Sequence, residues 1–133
     1  MDPNEVKADL RYSKEHEWIR REGDEVVVGI TAFAVDQLGD VTLVSWDVKV
    51  GENVKAGQVF GTIESVKTLS DLFAPVAGKV LRINQELEEA PELVNADCWE
   101  KAWMIAIAPS DPTELDELLD AAAYRDHVAS AQG

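Results

Sequence analysis

Cys98 is the only cysteine in these 133 residues, so no internal disulfide can form and the chain reads as one from a reducing compartment. A nucleophilic thiol would want a nearby base, and the two histidines, His16 and His127, lie far away in sequence. Cys98 is therefore expected to be a small buried or half-buried thiol. The histidines have no second ligand type at helix or hairpin spacing beyond Glu15 and Glu17, which makes a poor metal site. GxSxG, HExxH and a phosphate-cradling glycine loop are all missing, and no full set of catalytic groups stands in their place. No apolar run approaches the roughly 20 residues that span a bilayer. The opening Met1-Asp2-Pro3-Asn4-Glu5 is acidic, unlike a secretory leader or an Arg-rich transit peptide, so a cytoplasmic protein is expected.

Positive charge is scarce as well. Twelve Lys and Arg face 26 Asp and Glu, a net charge of −14. Nucleic-acid binding needs clustered basic residues, and an anionic membrane repels such a surface. From Asn84 onward twelve acids, Glu86 through Asp126, stand against only Lys101 and Arg125. An acidic surface suits encounters with basic patches on protein partners; serving solubility alone is the plain and more common alternative.

The apolar content of 46% and charged content of 29% belong to a soluble globular chain, long enough for one domain with its own core. The β-rich runs Glu25–Ile30, Val41–Trp46, Lys79–Ile83 and Trp103–Ile107 read as strands. Thr31 to Leu38 reads as two helical turns capped by Thr31 and stopped by Gly39. Gly51-Glu52-Asn53 and Lys55-Ala56-Gly57 read as turns on either side of Val54. Short strands with glycine turns imply a sandwich or barrel. Later, Asp111-Pro112-Thr113-Glu114 carries the marks of a capping box, and Leu115, Leu118 and Leu119 fall on one helical stripe. A second helix is expected over Ala121 to Ala129. Val50-Gly51-Glu52-Asn53-Val54 and Val76-Ala77-Gly78-Lys79-Val80 form a faint internal echo, a glycine turn between valines in each.

One basic residue stands apart. No other Lys or Arg occurs between Lys55 and Lys79, yet Lys67 sits in the middle of that stretch. Apolar runs flank it, Val59-Phe60-Gly61-Thr62-Ile63 before and Leu72-Phe73-Ala74-Pro75-Val76 after. The pattern predicts two strands joined by a short exposed turn with Lys67 near its tip. An accessible amine on a fixed backbone suits covalent modification; an ordinary solvated loop lysine is the plain alternative.

The segment Gly61-Thr62-Ile63-Glu64-Ser65-Val66-Lys67-Thr68-Leu69-Ser70-Asp71-Leu72-Phe73-Ala74-Pro75-Val76-Ala77-Gly78 resembles the lipoyl-attachment region of the glycine cleavage system H protein family. Tyr12-Ser13-Lys14-Glu15-His16-Glu17-Trp18, Gly29-Ile30-Thr31, Asp36-Gln37-Leu38-Gly39-Asp40-Val41, Pro91-Glu92-Leu93-Val94-Asn95 and Pro109-Ser110-Asp111-Pro112-Thr113-Glu114-Leu115 are similar to its other blocks, in the same order. The likeness runs over about residues 10 to 128. It implies a mainly β barrel-sandwich hybrid of the lipoyl/biotinyl type with short helices. Residues 1–9 would be an N-terminal extension, and 10–133 one carrier domain with a C-terminal helical segment over 112–129.

The resemblance implies a carrier and not an enzyme. Lys67 would bear lipoate in amide linkage, with the reactive sulfur supplied by the cofactor. Glycine decarboxylase would load an aminomethyl group, aminomethyltransferase would pass the one-carbon unit on, and dihydrolipoyl dehydrogenase would reoxidise the dithiol. Glu64, Ser65 and Val66 would serve recognition by the lipoylating enzyme. Glu17 and Asp71 match acids near the family's cleft for the loaded arm, where a carboxylate pairs with a cationic amine; a surface acid and a turn acid are the plain alternatives. Glu15 stands where relatives often have serine, and His16 and Trp18 would support the surrounding strand and core. A biotin carrier is the poorer match, because Val66 and Thr68, not methionines, flank the lysine. A monomer suits a carrier that visits several enzymes.

Some positions depart from the family. Ala32 and Val35 stand where relatives usually carry Asp and Gln, Val44–Val50 replaces a segment that is usually Glu-Leu-Pro followed by a glycine turn, and Ala96–Trp103 stands where relatives often have Pro-Tyr-Gly-Glu-Gly-Trp. If these lay on the surface they would alter the face a partner sees. The alternatives are an H-like carrier serving a heterodisulfide-reductase-like sulfur-oxidation complex, or a lipoate relay. A β-sandwich that is never modified is the third.

Overall fold

The computed structural model describes residues 2–132 and shows two antiparallel sheets facing one core. The strands are β1 (Arg11–Tyr12), β2 (Glu17–Glu22), β3 (Glu25–Ile30), β4 (Val41–Trp46), β5 (Asn53–Val54), β6 (Val59–Ser65), β7 (Leu69–Phe73), β8 (Gly78–Ile83) and β9 (Ile105–Pro109). Six pair in the order β1-β2-β3-β9-β8-β5, and β4-β6-β7 form the smaller sheet. No helix of the described residues is long and apolar enough to cross a membrane.

The helix between β3 and β4, α1 (Ala32–Leu38), begins and ends where its sequence indicates. The Thr31 side chain accepts from the Ala34 amide, and Gly39, at φ 75°, turns the chain out of the helix. The larger sheet contains a strand that patterning does not reveal. β2 carries Arg20, Arg21 and Glu22 at one end, but Glu17, Trp18 and Ile19 are buried at the other. It pairs with β3 along its whole length, from Glu17 opposite Ile30 to Glu22 opposite Glu25. Trp18 is completely buried across Gly29, where an added Cβ would sit 2.4 Å from the indole ring. Its indole N–H donates to the Cys98 carbonyl at 2.9 Å.

The echo between the two valine–glycine segments is a pairing. β5 lies antiparallel to β8, with Asn53 opposite Lys79 and Val54 opposite Gly78. β9 starts at Ile105, two residues later than its apolar run suggests, because Trp103 and Met104 complete the approach to the sheet. Two one-turn helices, α2 (Glu86–Glu89) and α3 (Leu93–Ala96), bury Leu87 and Val94.

The C-terminal segment corrects the leucine stripe. Pro112–Glu117 is a 3-10 turn capped by Asp111, and the chain is extended again at Leu118. Leu119 exchanges both backbone hydrogen bonds with Tyr12 at 2.8 Å, so it works as a strand residue. Glu114 does not close a capping box: its side chain accepts from the Ala77 amide at 3.2 Å. The last helix, α4 (Ala121–Gln132), forms as expected and packs Tyr124 onto Tyr12, with ring centroids 4.4 Å apart.

Candidate functional site

Lys67 stands exposed in a two-residue turn, Val66-Lys67, between β6 and β7. The Ser65 amide donates to the Thr68 carbonyl at 2.8 Å and closes the hairpin. Tight two-residue turns usually need positive φ, yet neither turn residue has it. The Ser65 hydroxyl instead accepts from the amides of both Lys67 and Thr68, each at 3.2 Å. Ser65 is 8% exposed, so it shapes the turn from inside. Glu64 and Val66 face solvent.

The tip is tied to a second element. The Val66 amide donates to the Asp40 carbonyl at 3.0 Å, at the corner where α1 gives way to β4. Asn95 holds that corner from α3: its carboxamide N–H donates to the Gly39 carbonyl at 2.8 Å, and its oxygen accepts from the Val41 amide at 2.9 Å. Asn95 thus satisfies the two backbone groups that flank Asp40. The Lys67 stem lies over Gly39, where a Cβ would meet Cε at 3.3 Å. Asn95 falls within a family-like block, yet its role depends on a contact 54 residues away and has no local signal.

Beside the hairpin is a cleft of about 230 Å³. Ile30, Ala34, Leu38, Ile63 and Leu72 give it an apolar floor, while Glu15, Glu17 and Asp71 supply carboxylates. The fold therefore brings Glu17 and Asp71 to one cavity within reach of the hairpin. Asp71 is exposed, but Glu17 is only 2% exposed. One Glu17 oxygen accepts from the Phe73 amide at 2.9 Å, and the other from the Ser13 hydroxyl at 3.2 Å. Among the described residues no cation lies within ion-pair distance of it. Burial pushes its carboxyl up to about 8, against these two hydrogen bonds.

His16 lines the same cleft with its backbone at φ 68°. Its Nδ1 lies 2.9 Å from the Tyr124 hydroxyl, which lies 2.7 Å from the Thr31 hydroxyl. Burial and the neighbouring His127 lower its pKa to about 4, so the ring is neutral at pH 7. His16 and Trp18 are thus supports, one for the cleft rim and one for the core. Cys98 is buried, and its thiol is pushed up to about 12, chiefly by burial.

The positions that depart from the family divide: Ser45, Asp47, Lys49, Val50, Glu100 and Lys101 are exposed, whereas others lie inside the fold. Ala32, Val35 and Trp99 are 1%, 4% and 6% exposed. They pack inward, because α1 lays one face on the core and the Trp99 indole is drawn in to donate to Glu5 at 3.0 Å. Trp46 is half-buried and stacks on Phe60 with centroids 6.3 Å apart. Among the described residues its indole N–H has no acceptor.

The profile of the family described as Glycine cleavage H-protein matches residues 10–131. The glycine cleavage system H protein of Anaeromyxobacter sp. (strain K) is 54% identical over 124 residues, which is 93% of this chain and 96% of that one. The protein of the same name from Symbiobacterium thermophilum is 56% identical, over 90% of this chain and 92% of its own. Among solved structures, a glycine cleavage system H protein from Mycobacterium marinum superposes with TM-score 0.82 at 34% identity, covering 96% of this chain and all of that one.

Proposed function

The chain belongs to the glycine cleavage H-protein family, and from that premise we propose that it is a non-catalytic carrier whose Lys67 bears lipoate. The observation that carries this reading is the placement of Lys67 at the apex of a braced hairpin beside a cleft with an apolar floor and an acidic wall. The residues present fit such an arm. The amine is exposed for acylation, Gly39 leaves room for the stem, and the cleft can shelter a slim apolar chain.

The bound group would supply a reactive disulfide that accepts an aminomethyl unit at glycine decarboxylase, releases it to aminomethyltransferase and is reoxidised by dihydrolipoyl dehydrogenase. The protein's part is placement. Ser65, Asp40 and Asn95 hold the hairpin so that its side chain leaves from one fixed point. Tethering then raises the local concentration of the cargo at each docked enzyme. Glu17 and Asp71 flank the region where a cationic amine at the end of the arm would be sheltered. Burial keeps the Glu17 carboxyl protonated near neutral pH and its hydrogen-bond partners are neutral donors, so a cation placed there would favour the ionised form and gain a charged partner. The apolar floor excludes water from a hydrolysable cargo.

The substitutions at Ala32, Val35 and Trp99 lie inside the fold, so they do not argue for a sulfur-oxidation client. The test is glycine-dependent carbon dioxide exchange with glycine decarboxylase. The lipoylated protein is expected to support exchange and the Lys67→Arg variant to support none. Equal exchange by both would contradict the reading.

A further inference from the structure

We propose that a groove along α1, on the side of that helix turned away from the acidic cleft, is the resting site of the Lys67 arm while it carries no cargo and is uncharged. This rests on the carrier reading and adds a second site to the one that reading uses.

α1 presents two stripes. Ala32, Val35, Asp36 and Gly39 follow the i, i+3, i+4, i+7 spacing of one helix side, and all four line a groove of about 380 Å³. Asp40, Asn95, Lys67 and Pro3 complete it. Ala34, Gln37 and Leu38 belong to the cleft instead. At about 3.6 residues per turn the two sets centre on opposite sides of the helix. Lys67 lines the groove and is not among the residues that line the cleft. Its stem lies over Gly39, so an acyl chain continuing from Nζ starts at the C-terminal end of the groove. From Gly39 back to Ala32 the stripe runs roughly 10 Å at 1.5 Å per residue.

The N-terminal segment supplies a wall. Glu5 accepts from the Trp99 indole at 3.0 Å, and the Lys7 ammonium lies 5.4 Å from the centre of the same ring. The Lys7 amide and carbonyl each bond the Tyr12 hydroxyl at 2.7 Å, and Arg125 donates to the Val6 carbonyl at 3.3 Å. A segment held in this way keeps Pro3 at the groove. Ala32, Val35 and Trp99 thus serve one feature, the first two as an apolar floor and the third as an anchor for the wall. Acylation turns the lysine cation into a neutral amide followed by methylenes. Asp36 and Asp40, exposed at the edge, can accept from the amide N–H, while Ala32, Val35 and Pro3 cover the methylenes. An arm bearing a cationic amine gains more from the cleft, where Glu17 is buried, than from two solvated acids. The charge of the cargo therefore selects between the two sites.

Amide NMR spectra of the full chain before and after Lys67 is lipoylated, with the disulfide closed, test this. The amides of Val35, Asp36 and Asn95 should shift, and those of Ser70 and Asp71 should stay in place. Dithiothreitol then reads the shelter directly. It should reduce the arm of Asp36→Arg about fivefold faster than that of the parent, because a long side chain on the groove displaces the arm and the rate follows the unsheltered fraction. Glu88→Arg makes the same charge change at an exposed residue that lines neither site, and it should match the parent. Shifts at Ser70 and Asp71 would put the unloaded arm in the cleft, and shifts confined to the Val66-Lys67 turn would leave it in solvent. Either result overturns the groove and leaves the carrier reading standing, as would equal reduction rates in the parent and Asp36→Arg. A Lys67 that accepts no lipoate from a lipoate–protein ligase would overturn the carrier reading and the groove together.

Discussion

The Val66 amide and the Asp40 carbonyl, 3.0 Å apart, join the tip of the β6–β7 hairpin to the corner between α1 and β4. A hairpin tip tied only by its own two strands can splay. This contact gives it a third anchor, and Asn95 fixes the anchor itself.

Asn95→Ala should therefore loosen the tip from a distance. It leaves the Gly39 carbonyl and the Val41 amide without their partner, which costs about 1–3 kcal/mol. Chemical denaturation should show that loss, and amide exchange at Val66 should quicken by more than exchange in β8. Protection at Val66 equal to the parent's would show that the corner holds without Asn95.

Ser65→Ala removes the one acceptor shared by the Lys67 and Thr68 amides. Both amides belong to exposed residues in part-buried hydrogen bonds, so the stability cost should be about 1 kcal/mol. Lipoylation should slow by more than stability falls, because the lysine would leave from a wandering point. Unchanged lipoylation kinetics would reduce Ser65 to an ordinary turn residue.

Gly29→Ala should destabilise the core without touching the hairpin. The added methyl would lie 2.4 Å from the Trp18 ring, so strand or indole must shift. Overpacking of this kind costs about 1–3 kcal/mol. Urea denaturation reads it directly, and a midpoint equal to the parent's would mean that Trp18 has room to move.

Stability should depend on pH through two buried groups of opposite sign. Glu17 moves from 4.5 to about 8 on folding, mainly by burial, so between those values the folded chain holds a proton that the unfolded chain has lost. Stability accordingly falls as pH rises through that window. His16 moves from 6.5 to about 4, by burial and by His127, so its contribution is lost as pH drops from 6.5 toward 4. The two oppose each other between 4.5 and 6.5, and from 6.5 to about 8 the Glu17 contribution remains without that opposition. The slope there reaches at most about 1.4 kcal/mol per pH unit. Denaturation at pH 6.5 to 8 should show this decline in the parent and lose it in Glu17→Gln. A parent with constant stability over that range would contradict the assignment.

Much of this arrangement is written locally. Thr31 and Gly39 bracket α1 because capping is a short-range matter, and the isolated Lys67 between β-rich runs marks its own hairpin. β2 is hidden because Arg20, Arg21 and Glu22 break the apolar pattern, and its place depends on pairing with β3. The leucine stripe misleads because Leu119 gains more from bonding Tyr12 than from continuing a helix. Ala32, Val35 and Trp99 look like surface changes only while their partners are unknown. The cleft is assembled from β2, β3, α1, β6 and β7, so composition shows its acids but not their meeting. That Glu17 is buried, with Phe73 and Ser13 as its partners, is a tertiary fact.

The central claim is tested most directly by intact and peptide-level mass measurement of the chain produced in cells supplied with lipoate. The account predicts a single lipoyl adduct, confined to the peptide that contains Lys67 and missing from a folded Lys67→Arg variant. A chain that stays unmodified beside a lipoylated control protein, or one that carries the adduct on another lysine, would contradict it.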